Sequence, residues 1–190
     1  MDILEIEQCI KKMTKETRFN HSKGVQKTAG ELAKHYGLDV DKAELAGLMH
    51  DCVKNLSVEE MMRLCDELGC KLDFVTQREY KLIHAPLGAY YAKKIFGVDD
   101  DEIFNAIYWH TTAKADMTMF EKIIYIADVI EPNRKYDIID EMRKLAYEDI
   151  DVAMLKILNY TIGKQLAAGK MLHSETINAR NYLIAKGVNI

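Results

Sequence analysis

The chain has 190 residues, 48% of them apolar and 29% charged, with two prolines and ten glycines. These values are ordinary for a globular protein and exclude disordered, collagen-like and low-complexity chains. Thirty Asp and Glu against 26 Lys and Arg leave a formal charge of −4, so the bulk positive charge that coats nucleic acid is missing and no nucleic-acid partner is expected. No stretch approaches the ~18 to 20 uninterrupted apolar residues of a membrane span. The N-terminus, MDILEIEQCIKKMTKE, lacks a signal-peptide core. Both point to a cytoplasmic location with no membrane partner. Cys9, Cys52, Cys65 and Cys70 form no CxxC pair and read as reduced, mostly buried thiols.

Helical periodicity runs along the whole chain. Ile3, Ile6, Ile10 and Met13 recur at helical spacing behind Asp2, a capable N-cap. A second helix is predicted from about His21 to Tyr36, with Val25, Ala29, Leu32, Ala33 and Tyr36 as its apolar stripe and Gly37 as its stop. Asp39 opens DVDKAELAGLMHDCVKNL, where Ala43, Ala46, Leu48 and Met49 face inward. Four capping boxes follow: Ser57–Glu60, Thr76–Glu79, Asp99–Glu102 and Thr118–Glu121. Pro86 suits the first turn of LGAYYAKKIF, and Gly97 closes that helix. Further helices are predicted over about Tyr136–Tyr147, Ile150–Ala168 and Glu175–Lys186. No window alternates apolar and polar residues as a half-buried strand does, and there is no repeat or Ser/Gly-rich linker. The fold class read from this pattern is a single all-α domain.

A few residues have no packing use where they stand. His50-Asp51 ends an apolar helix in LAGLMHDCVKNL. Either residue alone reads as a satisfied histidine or a helix-terminus aspartate. Side by side, an imidazole nitrogen and a carboxylate oxygen form a ligand pair for a borderline divalent metal. Asp128 lies in EKIIYIADVIEP among isoleucines. A carboxylate there costs several kcal/mol unless it is a ligand or pairs with a neighbour such as Arg134. His21 alone reads as a capping or surface histidine.

The order His21, His50-Asp51, Asp128 is H…HD…D, spaced by 29 residues and then 77. It resembles the HD-domain superfamily of metal-dependent phosphohydrolases. The segments RFNHSKGV, HAPLGA, WHTTAKADMTMFEKIIYIADVIEPNRKYD, LAYEDIDVAM and HSETINARNYL look like the YqeK family, whose members hydrolyse diadenosine tetraphosphate symmetrically to two ADP. The likeness runs from about Arg18 to Leu183. It implies one helical HD-domain bundle over residues 1–190, with a core at about 18–135 and C-terminal helices at about 136–190 packed on it. Ala113 stands where a glycine is frequent in the family, and Ser174 where a proline often follows the histidine.

The resemblance implies His21, His50, Asp51 and Asp128 as metal ligands. It implies His84 and His110 either as ligands of a second ion or as contacts to substrate phosphate. Iron is the implied metal, as one or two ions; the donor set equally admits Mn, Co, Ni or Zn. Asp51, Lys54, His84 and His110 are the candidate catalytic residues. Arg18, Lys54, Arg134 and Lys170 are candidate phosphate contacts, because the substrate carries about four negative charges. The ligand residues His21, Asp51, His84, His110 and Asp128 border the same phosphates. Thr111, Met171, His173 and Thr176 join Lys170 as nucleotide contacts, with ADP or GDP as product ligand and a homodimer as the expected assembly. In the implied mechanism a metal-activated water attacks an inner phosphorus. Other expectations from the residues are an HD phosphohydrolase of a mononucleotide, a cyclic dinucleotide or (p)ppGpp, and a non-catalytic nucleotide-binding regulator. The chain has no P-loop, GxGxxG or GxSxG motif. Cys52 lacks a separate base and reads as core packing rather than a nucleophile.

Overall fold

A computed structural model describes residues 1–190 as ten α-helices and one short 3-10 turn, with no strand. Helix α1 spans Ile3–Met13, α2 Glu16–His35, α3 Val40–Met49, α4 Val58–Leu68, α5 His84–Lys94 and α6 Asp101–Trp109. They are followed by α7 at Met119–Ile130, α8 at Ile139–Glu148, α9 at Ile150–Ala167 and α10 at Ser174–Ala185. No helix is long and apolar enough to cross a membrane.

Several starts are set by the local chemistry the sequence suggests. Asp2, Ser57 and Thr118 each accept from the backbone N–H three residues on, and Glu5, Glu60 and Glu121 reach back to close the box. Elsewhere the structure corrects the reading. Helix α2 begins at Glu16, not His21, so His21 sits inside the helix on its buried side. The cap of α6 is Asp100, which accepts from Glu102 and Ile103. Thr76–Glu79 starts no helix: the Thr76 hydroxyl donates to Asp73 at 2.5 Å, and the chain passes through a turn at Tyr80–Leu82 before α5 opens at His84. Helix α8 starts at Ile139 rather than Tyr136. Ile3 is exposed, while Ile6 and Ile10 are buried.

Helix α7 runs through the middle of the bundle and packs against α2, α3, α6, α8 and α9. Ile123, Ile124 and Ile126 on it are fully buried. Of the C-terminal helices, α8 packs on α2, α7 and α9, α9 packs on α7, and α10 packs on α9. The most extensive helix contact is α2 on α3, and Gly47 permits their close approach. A Cβ there would meet Gln26 Cα and Val25 O at 3.0 Å, so a larger residue would push the two helices apart. That approach carries His21 and His50 together.

Candidate metal centre and nucleotide cleft

Four histidines from four places in the chain meet at the ends of helices. His21 projects from the second turn of α2, His50 caps the end of α3, His84 opens α5 and His110 caps the end of α6. All four are buried. Each has its Nδ1 tied to an oxygen: His50 to Gly47 O, His84 to Lys81 O and His110 to Ile107 O, all at 2.7 Å, and His21 to Glu131 Oε1 at 3.0 Å. A carbonyl or carboxylate oxygen only accepts, so Nδ1 carries the proton in every ring and the neutral imidazole presents a bare lone pair at Nε2.

These lone pairs converge. His21 Nε2 lies 3.3 Å from His50 Nε2, and His84 Nε2 lies 3.1 Å from His110 Nε2. Asp51, 2% exposed, stands between the two pairs. Its Oδ1 is 2.9 Å from His84 Nε2 and 3.5 Å from His110 Nε2, while its Oδ2 is 3.4 Å from His50 Nε2 and 3.7 Å from His21 Nε2. Asp128 Oδ1 completes the first group, 2.9 Å from His21 Nε2 and 3.8 Å from His50 Nε2. Despite the short distances, buried Asp51 Oδ1 makes no hydrogen bond. Acceptors facing acceptors in a buried space repel unless a cation lies among them. The donors fit a divalent metal in two adjoining sets, His21, His50 and Asp51 with Asp128 alongside, and Asp51, His84 and His110.

Charge at the site follows from burial and neighbours. Burial works to raise the Asp51 carboxyl, but the surrounding histidines, His50 and His84 foremost, outweigh it and hold it well below the usual carboxylate range. For Asp128 burial is likewise outweighed, by the adjoining His21 and His50 rings and the Arg134 guanidinium, which hold its carboxyl below the usual range. Burial lowers His84 to about 4 against the pull of Asp51, which leaves it neutral and suited to ligation rather than proton donation at neutral pH. Burial and the adjacent Asp51 push the Cys52 thiol up to about 12, so it is a packed thiol and no nucleophile.

Three basic side chains rim the centre. Arg18 Nη1 donates to Asp51 Oδ2 at 2.6 Å. Arg134 donates from Nη2 to Asp128 Oδ1 at 2.6 Å and from Nε to Asp128 O at 3.0 Å. Lys54 Nζ donates to His84 Nε2 at 2.7 Å and lies 3.8 Å from Asp51 Oδ1. Burial lowers the Lys54 ammonium below its ordinary value. Beside His110 opens a cleft lined in part by Thr111, Lys170, Met171, His173 and Thr176. Thr111 Oγ1 is buried there without a partner. The polar atoms of His173 and Thr176 are already engaged within the protein, with Asp73 and with Thr112 O.

Sequence reasoning missed the residues that hold this arrangement. Glu131, 1% exposed, orients His21 and accepts from Asn133 N at 2.7 Å. A Cβ at Gly24 would collide with its carboxylate. Arg143 on α8 grips the carbonyls of Ile130 and Glu131 at 3.0 Å and of Arg134 at 3.2 Å, which pins the loop carrying Glu131 and Arg134. A buried acid one residue past an apolar helix was the only available signal for Glu131. The two family departures also find places. Ala113 is buried with φ +56°, a left-handed conformation that costs a non-glycine residue about 1 to 2 kcal/mol. Ser174 is the first residue of α10 behind the His173 N-cap, the position where proline is most at home.

Residues 18–133 match the HD domain family, and that stretch contains every residue of the candidate metal centre. The chain belongs to the HD-domain family, the class whose doublet His50-Asp51 here joins the two histidine pairs. Within that class it falls in the YqeK family, the symmetrical bis(5'-nucleosyl)-tetraphosphatases. It is 36% identical over 177 residues to the symmetrical bis(5'-nucleosyl)-tetraphosphatase of Bacillus subtilis (strain 168), covering 93% of this chain and 95% of that one. It is 32% identical to the protein of the same name from Staphylococcus aureus (strain NCTC 8325 / PS 47), covering 96% and 94%. A crystal structure from Clostridium acetobutylicum, described as a predicted HD superfamily hydrolase involved in NAD metabolism, is 42% identical with a TM-score of 0.94, covering 98% of both chains.

Proposed function

We propose that this chain hydrolyses diadenosine tetraphosphate and related dinucleoside polyphosphates symmetrically, releasing two ADP, with iron as the divalent metal. The observation that carries the reading is the division of Asp51: one carboxylate oxygen faces His21 and His50, the other faces His84 and His110. Asp51 with His21, His50 and Asp128, and Asp51 with His84 and His110, would hold the divalent metal. The relatives named as symmetrical tetraphosphatases supply the substrate class.

A divalent cation bound there supplies Lewis acidity and acidifies water. The chain's own groups do the rest. Arg18, Lys54 and Arg134 stand over the ligand carboxylates and are placed to take phosphate oxygens, Arg bidentately and Lys as a point charge. The Nδ1 ties fix the four rings before substrate arrives, so no reorganisation is required during the reaction. ADP is a good leaving group, which removes the need for a dedicated acid and agrees with neutral His84. Thr111, Lys170, Met171, His173 and Thr176 frame a nucleoside end beside His110.

The test is product analysis by anion-exchange chromatography, with protein purified without oxygen and reloaded with Fe(II), Mn, Co, Ni or Zn. Two ADP per dinucleotide are expected, with the highest turnover on Fe(II). AMP plus ATP, or turnover of cyclic dinucleotides or (p)ppGpp alone, would refute the reading.

A further inference from the structure

The segments 73–79 and 170–176 come from distant parts of the chain and meet at the outer wall of the cleft. His173 Nε2 lies 3.0 Å from Asp73 Oδ2, across 100 positions of sequence. His173 Nδ1 accepts the Glu175 backbone N–H at 3.2 Å as the N-cap of α10. The proton is therefore on Nε2, which donates to Asp73. Asp73 is itself held in place: Oδ1 accepts from Val75 N and Thr76 N, and Oδ2 from the Thr76 hydroxyl. Burial opposes ionisation of Asp73, but the bonds from Thr76 and His173 win and hold its carboxyl below the usual range. A second tie joins the same segments, from Met171 N to Glu79 Oε1 at 3.4 Å. Farther in, the Thr176 hydroxyl donates to Thr112 O at 2.8 Å, two residues past His110. A continuous polar strap thus runs from Asp73 through His173 and the first turn of α10 to the turn bearing His110.

We propose that Asp73 is a positioning residue that, through His173, holds the Lys170–Thr176 segment against the cleft and so sets the seat of the substrate's nucleoside end. The inference rests on the reading of the cleft given under Proposed function. Asp73 lies outside the metal centre. Its effect is on the shape of the cleft, where the unpartnered Thr111 hydroxyl awaits a polar ligand atom. Without the strap, ordering the segment falls on the binding step, and affinity drops by that entropy.

The experiment uses the metal-loaded full chain with Asp73→Ala, Asp73→Asn and the double variant Asp73→Ala/Glu79→Ala. Steady-state kinetics are measured with diadenosine tetraphosphate, and ADP affinity by calorimetry. Asp73→Ala is expected to raise both KM and the ADP Kd about tenfold, the scale of one charge-assisted bond, with kcat changed by less than about twofold. Asp73→Asn recovers part of the loss, because its amide oxygen still accepts from His173, and it serves as the test if the alanine variant does not fold. The double variant loses more than the single one. Unchanged KM and ADP Kd in both Asp73→Asn and the double variant would overturn the strap, as would a fall in kcat alone. Wild-type protein that binds ADP yet leaves diadenosine tetraphosphate intact would overturn the proposed reaction, and the ADP Kd comparison would still decide on Asp73.

Discussion

Removing the metal is the perturbation with the largest expected effect on the folded chain. Four imidazole lone pairs and two carboxylates converge with few donors among them, and Asp51 Oδ1 has no hydrogen bond at all. At a free ion concentration 1,000 times its Kd, binding to the native state alone adds about 4 kcal/mol. For a chain of this length each kcal/mol moves Tm by about 2 to 4 °C, so reloading a chelated sample should raise Tm by about 8 to 16 °C. Asp51→Ala removes a donor from both histidine groups at once, and should cut the shift to less than about 3 °C. The assay is thermal denaturation with and without chelator, paired with elemental analysis of bound metal. An Asp51→Ala protein that keeps full metal content and the full shift, or a wild type that shows no shift, would refute the lone-pair argument.

Glu131→Gln keeps an oxygen for His21 but loses the charge that makes its imidazole a stronger donor; metal affinity should fall about 10- to 100-fold in a competitive chelator titration, and unchanged affinity would remove Glu131 from the centre. Arg134→Ala should lower kcat/KM for diadenosine tetraphosphate about 10- to 150-fold with metal content intact, and Lys should restore only part of it; weaker metal binding at unchanged KM would mean that Arg134 serves only Asp128, which it already touches twice. Cys52 predicts an alkaline effect of definite sign. Its thiol is raised from 9.0 to about 12 in the fold, so above the lower value the unfolded chain releases a proton that the native chain keeps, and stability falls as pH rises through that window. Urea melts at about pH 8 and about pH 10.5 should show a smaller alkaline loss for Cys52→Ala than for wild type, and identical losses would exclude the effect.

Much of the helical framework is legible in the sequence because it is locally determined. A capping box such as Ser57–Glu60 or Thr118–Glu121 is complete within four residues, and the apolar stripe of α2 is a matter of period. The failures were also local conflicts. Thr76–Glu79 has the right residues for a cap, but Asp73 takes the Thr76 hydroxyl and the helix waits for His84. The H…HD…D order marked out residues that the fold does bring within a few ångströms of one another. What it could not contain is how they are held. Three of the four Nδ1 anchors are backbone carbonyls, which every residue carries and no side-chain pattern reports. The fourth, Glu131, is 110 positions from the ring it orients, and Asp73 is 100 from His173. Such pairs exist only after α7 has packed against α2 and α10 has docked on α9. Periodicity and capping act over one or two turns, so the sequence alone determined the helices and the donor types. The assignment of each Asp51 oxygen, each imidazole tautomer and each wall of the cleft came from packing between distant segments, where only the tertiary structure decides.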